Sequence, residues 1–157
     1  MLEQGDSKSN KNNQLLIILG NQLFPISEIK KTNTKIIFMA EDYSLCTEYK
    51  FHKLKILMFF CSMRAYRDEL IKSGFQVYYH SIEDPDFKTP FEKKLTNTIN
   101  LEKITKINYF EIEDHSFEKK INDFKSISSI EWVQFSNPMF IYSREKFNSF
   151  TQQSKTL

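Results

Sequence analysis

Glycine is scarce in this chain, and its scarcity excludes several classes of nucleotide and catalytic site. Three glycines occur among 157 residues, at positions 5, 20 and 74. The G-x-G-x-x-G fingerprint of dinucleotide-binding folds and the P-loop of kinases and ATPases both need closely spaced glycines, so neither motif is present. The glycine-flanked serine elbow of α/β-hydrolases is missing for the same reason.

The chain also has few cysteines and a net charge close to zero. Cys46 and Cys61 are the two cysteines, and the three histidines fall in separate segments. This pattern argues against a zinc or iron–sulfur site in the chain and predicts two reduced thiols in a cytoplasmic protein. The net charge of +2 gives no bulk attraction to nucleic acid, so no direct DNA binding is expected.

Long apolar runs are absent as well. No run in the sequence approaches the ~18–20 residues of a membrane-spanning helix, so no membrane association is predicted. Residues 1–13 are polar and lack the apolar segment of a signal peptide. We predict that they form a disordered lead-in to a single domain that covers residues 14–157.

Five short apolar runs alternate with helical patterns along the rest of the chain. The predicted strands cover residues 15–19, 35–40, 75–79, 106–112 and 130–135. Apolar residues recur at helical spacing over 56–70, 90–101 and 117–124, and a short capped helix is predicted over 143–150 with Phe147 and Phe150 facing inward. The alternation predicts an α/β fold: a doubly wound, five-stranded, mostly parallel, Rossmann-like sheet. The tyrosines of the third strand favour a position near the sheet edge.

The ligand edge of such a sheet lies beyond the carboxyl ends of its strands. Here those ends are 20–22, 41–42, 80–81 and 111–114. The acids Glu41, Asp42 and Glu48 could form a chemical cluster or could cap helices, and the sequence leaves both interpretations open. The histidines are interpreted as structural.

Several segments together resemble a known family. They are LLIILGNQL at 15–23, MAE at 39–41, HKLKILMFFCSMR at 52–64, FIYSREKF at 140–147 and KTL at 155–157. Their order and spacing resemble the N-terminal domain of the deoxyribodipyrimidine photolyase-related proteins, the bacterial iron–sulfur branch of the photolyase/cryptochrome family. The 52–64 segment is the most specific part.

The resemblance implies an antenna domain that holds 6,7-dimethyl-8-ribityllumazine and passes light energy to FAD. In complete members, which perform light-driven DNA repair or blue-light sensing, the FAD, the 4Fe-4S cluster and the lesion pocket lie in a helical C-terminal part. Nothing in this chain corresponds to that part, so the chain is predicted to be catalytically incomplete alone and to contain no catalytic or metal-binding residue. A fragment, a split subunit and a naturally short relative all remain open.

The resemblance also implies a set of chromophore-binding residues. These are Gly20, Asn21, Gln22, Glu41, Glu48 and Glu111. Asn21 replaces an acid of the family pattern, and Leu45 stands where the family often has a glutamate that faces the lumazine. Glu48 lies one helical turn away and could substitute for it.

Two other hypotheses remain open from the sequence. The domain could be a non-enzymatic interaction module that pairs with a separately encoded helical FAD-binding domain. Alternatively, it could be an unrelated α/β enzyme for a small ligand, with Glu41, Glu111 and His115 as its acids and bases.

Overall fold

Five parallel strands form the centre of the computed structural model, which describes residues 13–153. The predicted α/β, doubly wound class is confirmed, and every strand pair is parallel. The strands are β1 (Gln14–Ile17), β2 (Ile36–Ala40), β3 (Gln76–His80), β4 (Lys106–Phe110) and β5 (Glu131–Phe135). Their spatial order is β3-β2-β1-β4-β5, so β3 is an edge strand, as its tyrosines indicated. The order reverses between β1 and β4.

Six helices connect or follow these strands within residues 13–153. They are α1 (Ile26–Lys31), α2 (Tyr43–Thr47), α3 (Lys53–Lys72), α4 (Phe91–Glu102), α5 (His115–Ile127) and α6 (Arg144–Gln153). No helix of the described residues combines the length and apolar character needed to cross a membrane.

The apolar core lies on both faces of the sheet because alternate side chains of a strand point to opposite sides. In the first run, Leu15 and Ile17 pack with buried residues of α4 and α5. Leu16 and Ile18 pack on the other face with buried residues of α1 and α3. A strand buried on both sides accounts for the continuous apolar run of 15–19.

The long helix α3 has a side-chain cap at its start and a backbone cap at its end. At the start, His52 Nδ1 accepts a hydrogen bond from the Leu54 amide at 3.2 Å. At the end, Gly74 takes a left-handed φ of 88°, and the Phe75 amide donates to Leu70 O at 3.1 Å. This arrangement is a Schellman motif, in which glycine avoids the strain that a side chain would cause.

Two details differ from the sequence-based expectations. The helix α2 was not predicted, and it begins where Asp42 Oδ1 accepts the Ser44 amide at 2.8 Å. In α6 the capping serine is present, with the Lys146 amide 3.3 Å from Ser143 Oγ. The inward orientation predicted for Phe147 and Phe150 is wrong, since they are 60% and 66% exposed.

The predicted lead-in lies almost entirely outside the described residues, which begin at Asn13. This residue is attached to the domain. Its Nδ2 donates to Glu102 O at 2.8 Å, and its carbonyl accepts from the Thr105 amide at 2.9 Å.

The close approach of α3 to the end of β1 depends on Gly20. A Cβ atom at this position would lie 2.3 Å from Phe59 Cε1 and 2.7 Å from Met63 Sδ. Both distances are below van der Waals contact, so any side chain would force the helix or its rings to move. The glycine therefore lets α3 lie directly over the first carboxyl end of the sheet.

We predict that Gly20→Ala lowers the free energy of unfolding by about 1–3 kcal/mol because it overpacks this contact. Urea unfolding measures the loss. In a Phe59→Leu background the clashing ring atom is absent, so Gly20→Ala should lower the free energy of unfolding by a smaller amount. Equal costs in the two backgrounds would contradict the proposed contact.

Candidate functional site

A cavity of about 240 Å³ opens beyond the carboxyl ends of β1 and β2, close to the point where the strand order reverses. This is the position at which doubly wound folds bind ligands. Its lining residues come from the strand ends, from α2 and the loop that follows it, from one face of α3, and from the start of α5. They are Leu19, Gly20, Asn21, Ala40, Asp42, Cys46, Phe51, Lys55, Ile56, Phe59, Phe60, Met63, Asp114 and Phe117.

The wall of the cavity is mostly apolar and rich in aromatic rings. Phe59, Phe60 and Met63 of α3 face it on one side, and Phe117 of α5 contributes a further ring. Four polar side chains contribute as well: Asn21, Asp42, Lys55 and Asp114. An apolar wall with a few polar groups is typical of sites for small organic ligands.

The loop after β1 is joined to the loop after β4. Asn21 Nδ2 donates to Glu113 Oε2 at 2.9 Å, and Gln22 Nε2 donates to Glu111 O at 2.8 Å. Gln22 is almost fully buried, so its side-chain amide stabilises the two loops and is not available to a ligand. Of the predicted residues, Gly20 and Asn21 therefore line the cavity, while Gln22 supports the loop behind it.

Glu41 is fully buried at the end of β2, and its carboxylate is occupied by protein partners. Arg64 approaches it in a two-pronged arrangement, with Nε 2.6 Å from Oε1 and Nη2 3.1 Å from Oε2. The Tyr79 hydroxyl donates at 2.6 Å, and the Ile82 amide donates at 2.7 Å. We call this set the Glu41 clamp; it ties α3 to β3 and to the loop that follows β3.

The electrostatics of the clamp keep Glu41 ionised. Burial acts to raise the pKa of this carboxyl, but the hydrogen bonds from Arg64, Tyr79 and Ile82 outweigh burial and hold the pKa below its ordinary value. The pKa of Tyr79 is raised by burial and by its hydrogen bond to Glu41. An ionised, fully paired carboxylate is poorly suited to act as an acid or base, which weighs against the enzyme hypothesis.

The remaining predicted residues lie apart from the cavity. Glu111 pairs with Arg144, whose Nε is 2.8 Å from Oε1, and both line a second, more open depression beside α6. Glu48 follows α2 and is exposed, and it is not among the lining residues. His115 is exposed at the first turn of α5.

Sequence reasoning missed most of the lining. The helical spacing of Ile56, Phe59, Phe60 and Met63 predicts a helix with an apolar face but does not show which of these side chains line a cavity. Asp114 had a detectable signal, because an aspartate directly before a periodic apolar pattern marks a helix start. Its side chain accepts the Phe117 amide at 2.8 Å.

Comparison with known proteins identifies the family of this chain. The model of the deoxyribodipyrimidine photo-lyase-related protein family matches residues 16–157, which is most of the chain. The chain belongs to this family. Over 147 residues it is also 26% identical to a (6-4) photolyase of Agrobacterium fabrum (strain C58 / ATCC 33970), a match that covers 92% of this chain. The chain spans 29% of the length of that photolyase.

We predict that Glu41→Gln lowers the free energy of unfolding at neutral pH by about 3 kcal/mol, because it removes one partner of a buried ion pair. The stabilisation comes from a lowered pKa, so it is present above the ordinary value of 4.5 and is lost as the pH falls through the lowered pKa. The difference between wild type and variant should therefore shrink in acid. Urea unfolding at several pH values measures it.

Glu83 provides a matched control for this experiment. It pairs with the same arginine at 3.0 Å, but its side chain is 75% exposed. Glu83→Gln should lower the free energy of unfolding by less than about 0.5 kcal/mol, because exposed ion pairs usually contribute little to stability. Similar losses for the two variants would contradict the assignment of Glu41 as the centre of the clamp.

Proposed function

We propose that this chain is the antenna-type α/β domain of a photolyase/cryptochrome-related protein and that it binds a flat conjugated chromophore in the cavity at the ends of β1 and β2. The observation that carries the proposal is the aromatic lining of this cavity, which lies close to the reversal of strand order. Family membership supports the light-related role. The domain would collect light for a flavin held elsewhere and would not perform repair by itself.

The chemistry of the lining fits a ribityllumazine, whose fused rings are flat and whose ribityl tail carries hydroxyl groups. Apolar residues such as Ile56 and Phe59 would contact the rings, and Asn21 and Lys55 offer polar groups to the tail. A volume of about 240 Å³ is below the range of ~300–1,000 Å³ common for whole ligands. The cavity is therefore suited to the ring system, with the tail directed to solvent.

In this proposal Glu41 does not contact the chromophore directly. Glu41 would act as a positioning residue, because its oxygens already accept hydrogen bonds from the protein. The rings would be bound mainly by apolar contact, and the ligand supplies the absorption of visible light. The 4Fe-4S cluster of the complete family has four cysteine ligands, whereas Cys46 and Cys61 are the two cysteines of this chain. That cluster is therefore assigned to a separate part, and FAD is assigned to the same part because the family resemblance implies it.

We predict that 6,7-dimethyl-8-ribityllumazine binds the purified chain and that Ile56→Gln weakens binding at least tenfold. The substitution introduces an amide into the apolar wall, where no hydrogen-bond partner is positioned for it. Quenching and polarisation of lumazine fluorescence during titration measure the dissociation constant, and circular dichroism checks that the variant is folded.

Leu57→Gln is the matched control, because the neighbouring residue of the same helix is 57% exposed and does not line the cavity. Its dissociation constant should equal that of the wild type. Absence of lumazine and flavin binding by the folded wild type would contradict the antenna role.

A second proposal concerns an exposed apolar surface formed by α6 and the segment before it, which we call the α6 surface. It is formed by Met139, Phe140, Ile141, Tyr142, Phe147 and Phe150, each at least 56% exposed. Contiguous apolar side chains of this kind usually mark a protein interface. We propose that the α6 surface docks the helical FAD-binding part implied by the family, whether it is linked to this chain or separate.

We predict that Ile141→Asp abolishes association with that helical part, because Ile141 is 95% exposed within the surface. Affinity-tagged chain is isolated from its source cells, and a captured FAD-containing helical protein is identified by mass spectrometry and flavin absorption. Ile127→Asp, at an 82% exposed position of α5, is the control and should retain the partner. Retention of the partner by Ile141→Asp would contradict this proposal.

A further inference from the structure

A histidine and two aspartates come together at the end of β3. His80 is the last residue of that strand, and Asp84 and Asp86 belong to the loop that connects β3 to α4. One nitrogen or oxygen atom from each of the three side chains lies within 4.8 Å of the other two. All three residues are partly buried, and none of them lines the cavity at the ends of β1 and β2. The cluster is therefore a separate feature of the carboxyl edge.

Backbone turns hold the two carboxylates against the histidine. The Asp84 amide donates to Ser81 O at 3.2 Å, and the Ser81 amide donates to Asp84 Oδ2 at 2.7 Å. The Phe87 amide donates to Asp84 O at 3.0 Å, and the Thr89 amide donates to Asp86 O at 2.8 Å. These hydrogen bonds fold the loop back toward the strand end, so the three side chains are brought together by the protein itself.

The spacing within the cluster fits a shared metal ion. His80 Nδ1 lies 3.6 Å from Asp86 Oδ2, which is too long for a hydrogen bond. Two ligand atoms bound to one tetrahedral Zn²⁺ at about 2.0–2.2 Å are roughly 3.3–3.6 Å apart. The observed separation is therefore that of neighbouring ligands on one ion, and a small rotation of the Asp84 side chain brings a third ligand into place.

The donor atoms favour a transition-metal ion over Mg²⁺ or Ca²⁺. An imidazole nitrogen is a good ligand for Zn²⁺, whereas Mg²⁺ and Ca²⁺ are bound by oxygen atoms. The His80 ring is oriented by contact with the Phe38 ring, whose centre is 5.5 Å away. Burial lowers the pKa of His80, although Asp86 acts in the opposite direction. The ring is therefore neutral at neutral pH and has a lone pair to offer.

A buried lysine acts against a cation at this position. Lys94 of α4 is fully buried, and its Nζ donates to Phe87 O at 2.9 Å. Its charge is close enough to His80 to lower the pKa of the ring. The two carboxylates of the cluster outnumber this one ammonium group, so a divalent cation is still attracted.

We propose that His80, Asp84 and Asp86 form a Zn²⁺ site, with water completing the coordination. The ion accepts the Nδ1 lone pair of the neutral ring, which then carries its proton on Nε2, and one oxygen from each aspartate. The sequence argued against zinc because its histidines fall in separate segments, but one histidine is enough when the next loop supplies two carboxylates. The site does not depend on the proposed chromophore.

The proposed role of the ion is structural. The same loop supplies the Ile82 amide to the Glu41 clamp, and Glu83 of this loop pairs with Arg64 at 3.0 Å. A bound ion ties both sides of these two residues to the end of β3. It therefore stabilises the attachment of the loop to the clamp.

The test is a calorimetric titration of ZnCl₂ into the full chain after removal of metal by a chelator. We expect one ion to bind per chain, and Mg²⁺ to bind at least tenfold more weakly. His80→Asn and Asp86→Asn should each raise the dissociation constant at least tenfold, because losing a group that merely supports a ligand already weakens metal binding roughly 10–100-fold. Asp86 is 41% exposed, so this variant should fold, and circular dichroism checks both.

Urea unfolding with and without Zn²⁺ provides a second measurement. An ion that binds only the folded state stabilises it, so Zn²⁺ should raise the urea midpoint of the wild type. The midpoint of Asp86→Asn should not change at the same Zn²⁺ concentration. An equal rise in the two proteins would contradict the proposed site.

Glu83→Gln is the matched control, because it removes a carboxylate from the same loop that is 75% exposed and is not one of the three ligands. This variant should bind Zn²⁺ as tightly as the wild type. Unchanged affinity in His80→Asn and Asp86→Asn would overturn the proposal and indicate binding elsewhere, such as at the cysteines. Failure of the wild type to bind Zn²⁺, or equally tight binding of Mg²⁺, would overturn it as well.

Discussion

The hydrogen bonds and the ion pair of the buried Glu41 carboxylate hold together the edge of the sheet where the strands end. A fully buried charge is stable only when hydrogen bonds and an opposite charge replace the water it has lost. Arg64, Tyr79 and the Ile82 amide provide these partners, and they come from three different segments. Because these segments must meet at one carboxylate, the height and rotation of α3 over the sheet are fixed.

The cavity is a consequence of where α3 is held. The helix approaches β1 closely because Gly20 has no side chain, and this contact places Phe59 and Met63 against the strand end. The clamp holds the same helix from the β2 side through Arg64. One wall of the cavity is therefore rigidly attached to the sheet, while the opposite side is formed by the first turn of α5.

Much of the fold could be predicted from the sequence, because buried parallel strands produce continuous apolar runs such as residues 15–19 and 35–40. The ligand edge followed from the same pattern through the rule for parallel sheets. The partners of Glu41 could not be predicted, since Arg64 and Tyr79 lie 23 and 38 residues away and meet it only through tertiary packing. The helical spacing of Phe147 and Phe150 predicted an apolar face, but spacing alone could not show that both side chains are more than half exposed.

The single tryptophan has a consequence for following this protein in solution. Trp132 lies on the edge strand β5, with its ring centre 5.8 Å from that of Tyr109 and 5.9 Å from that of Phe124. It lines neither the cavity nor the depression beside α6. Its intrinsic fluorescence should therefore report on the packing of β5 against α5. Unfolding can be monitored at that edge, while the chromophore that we propose would report separately on the occupied cavity.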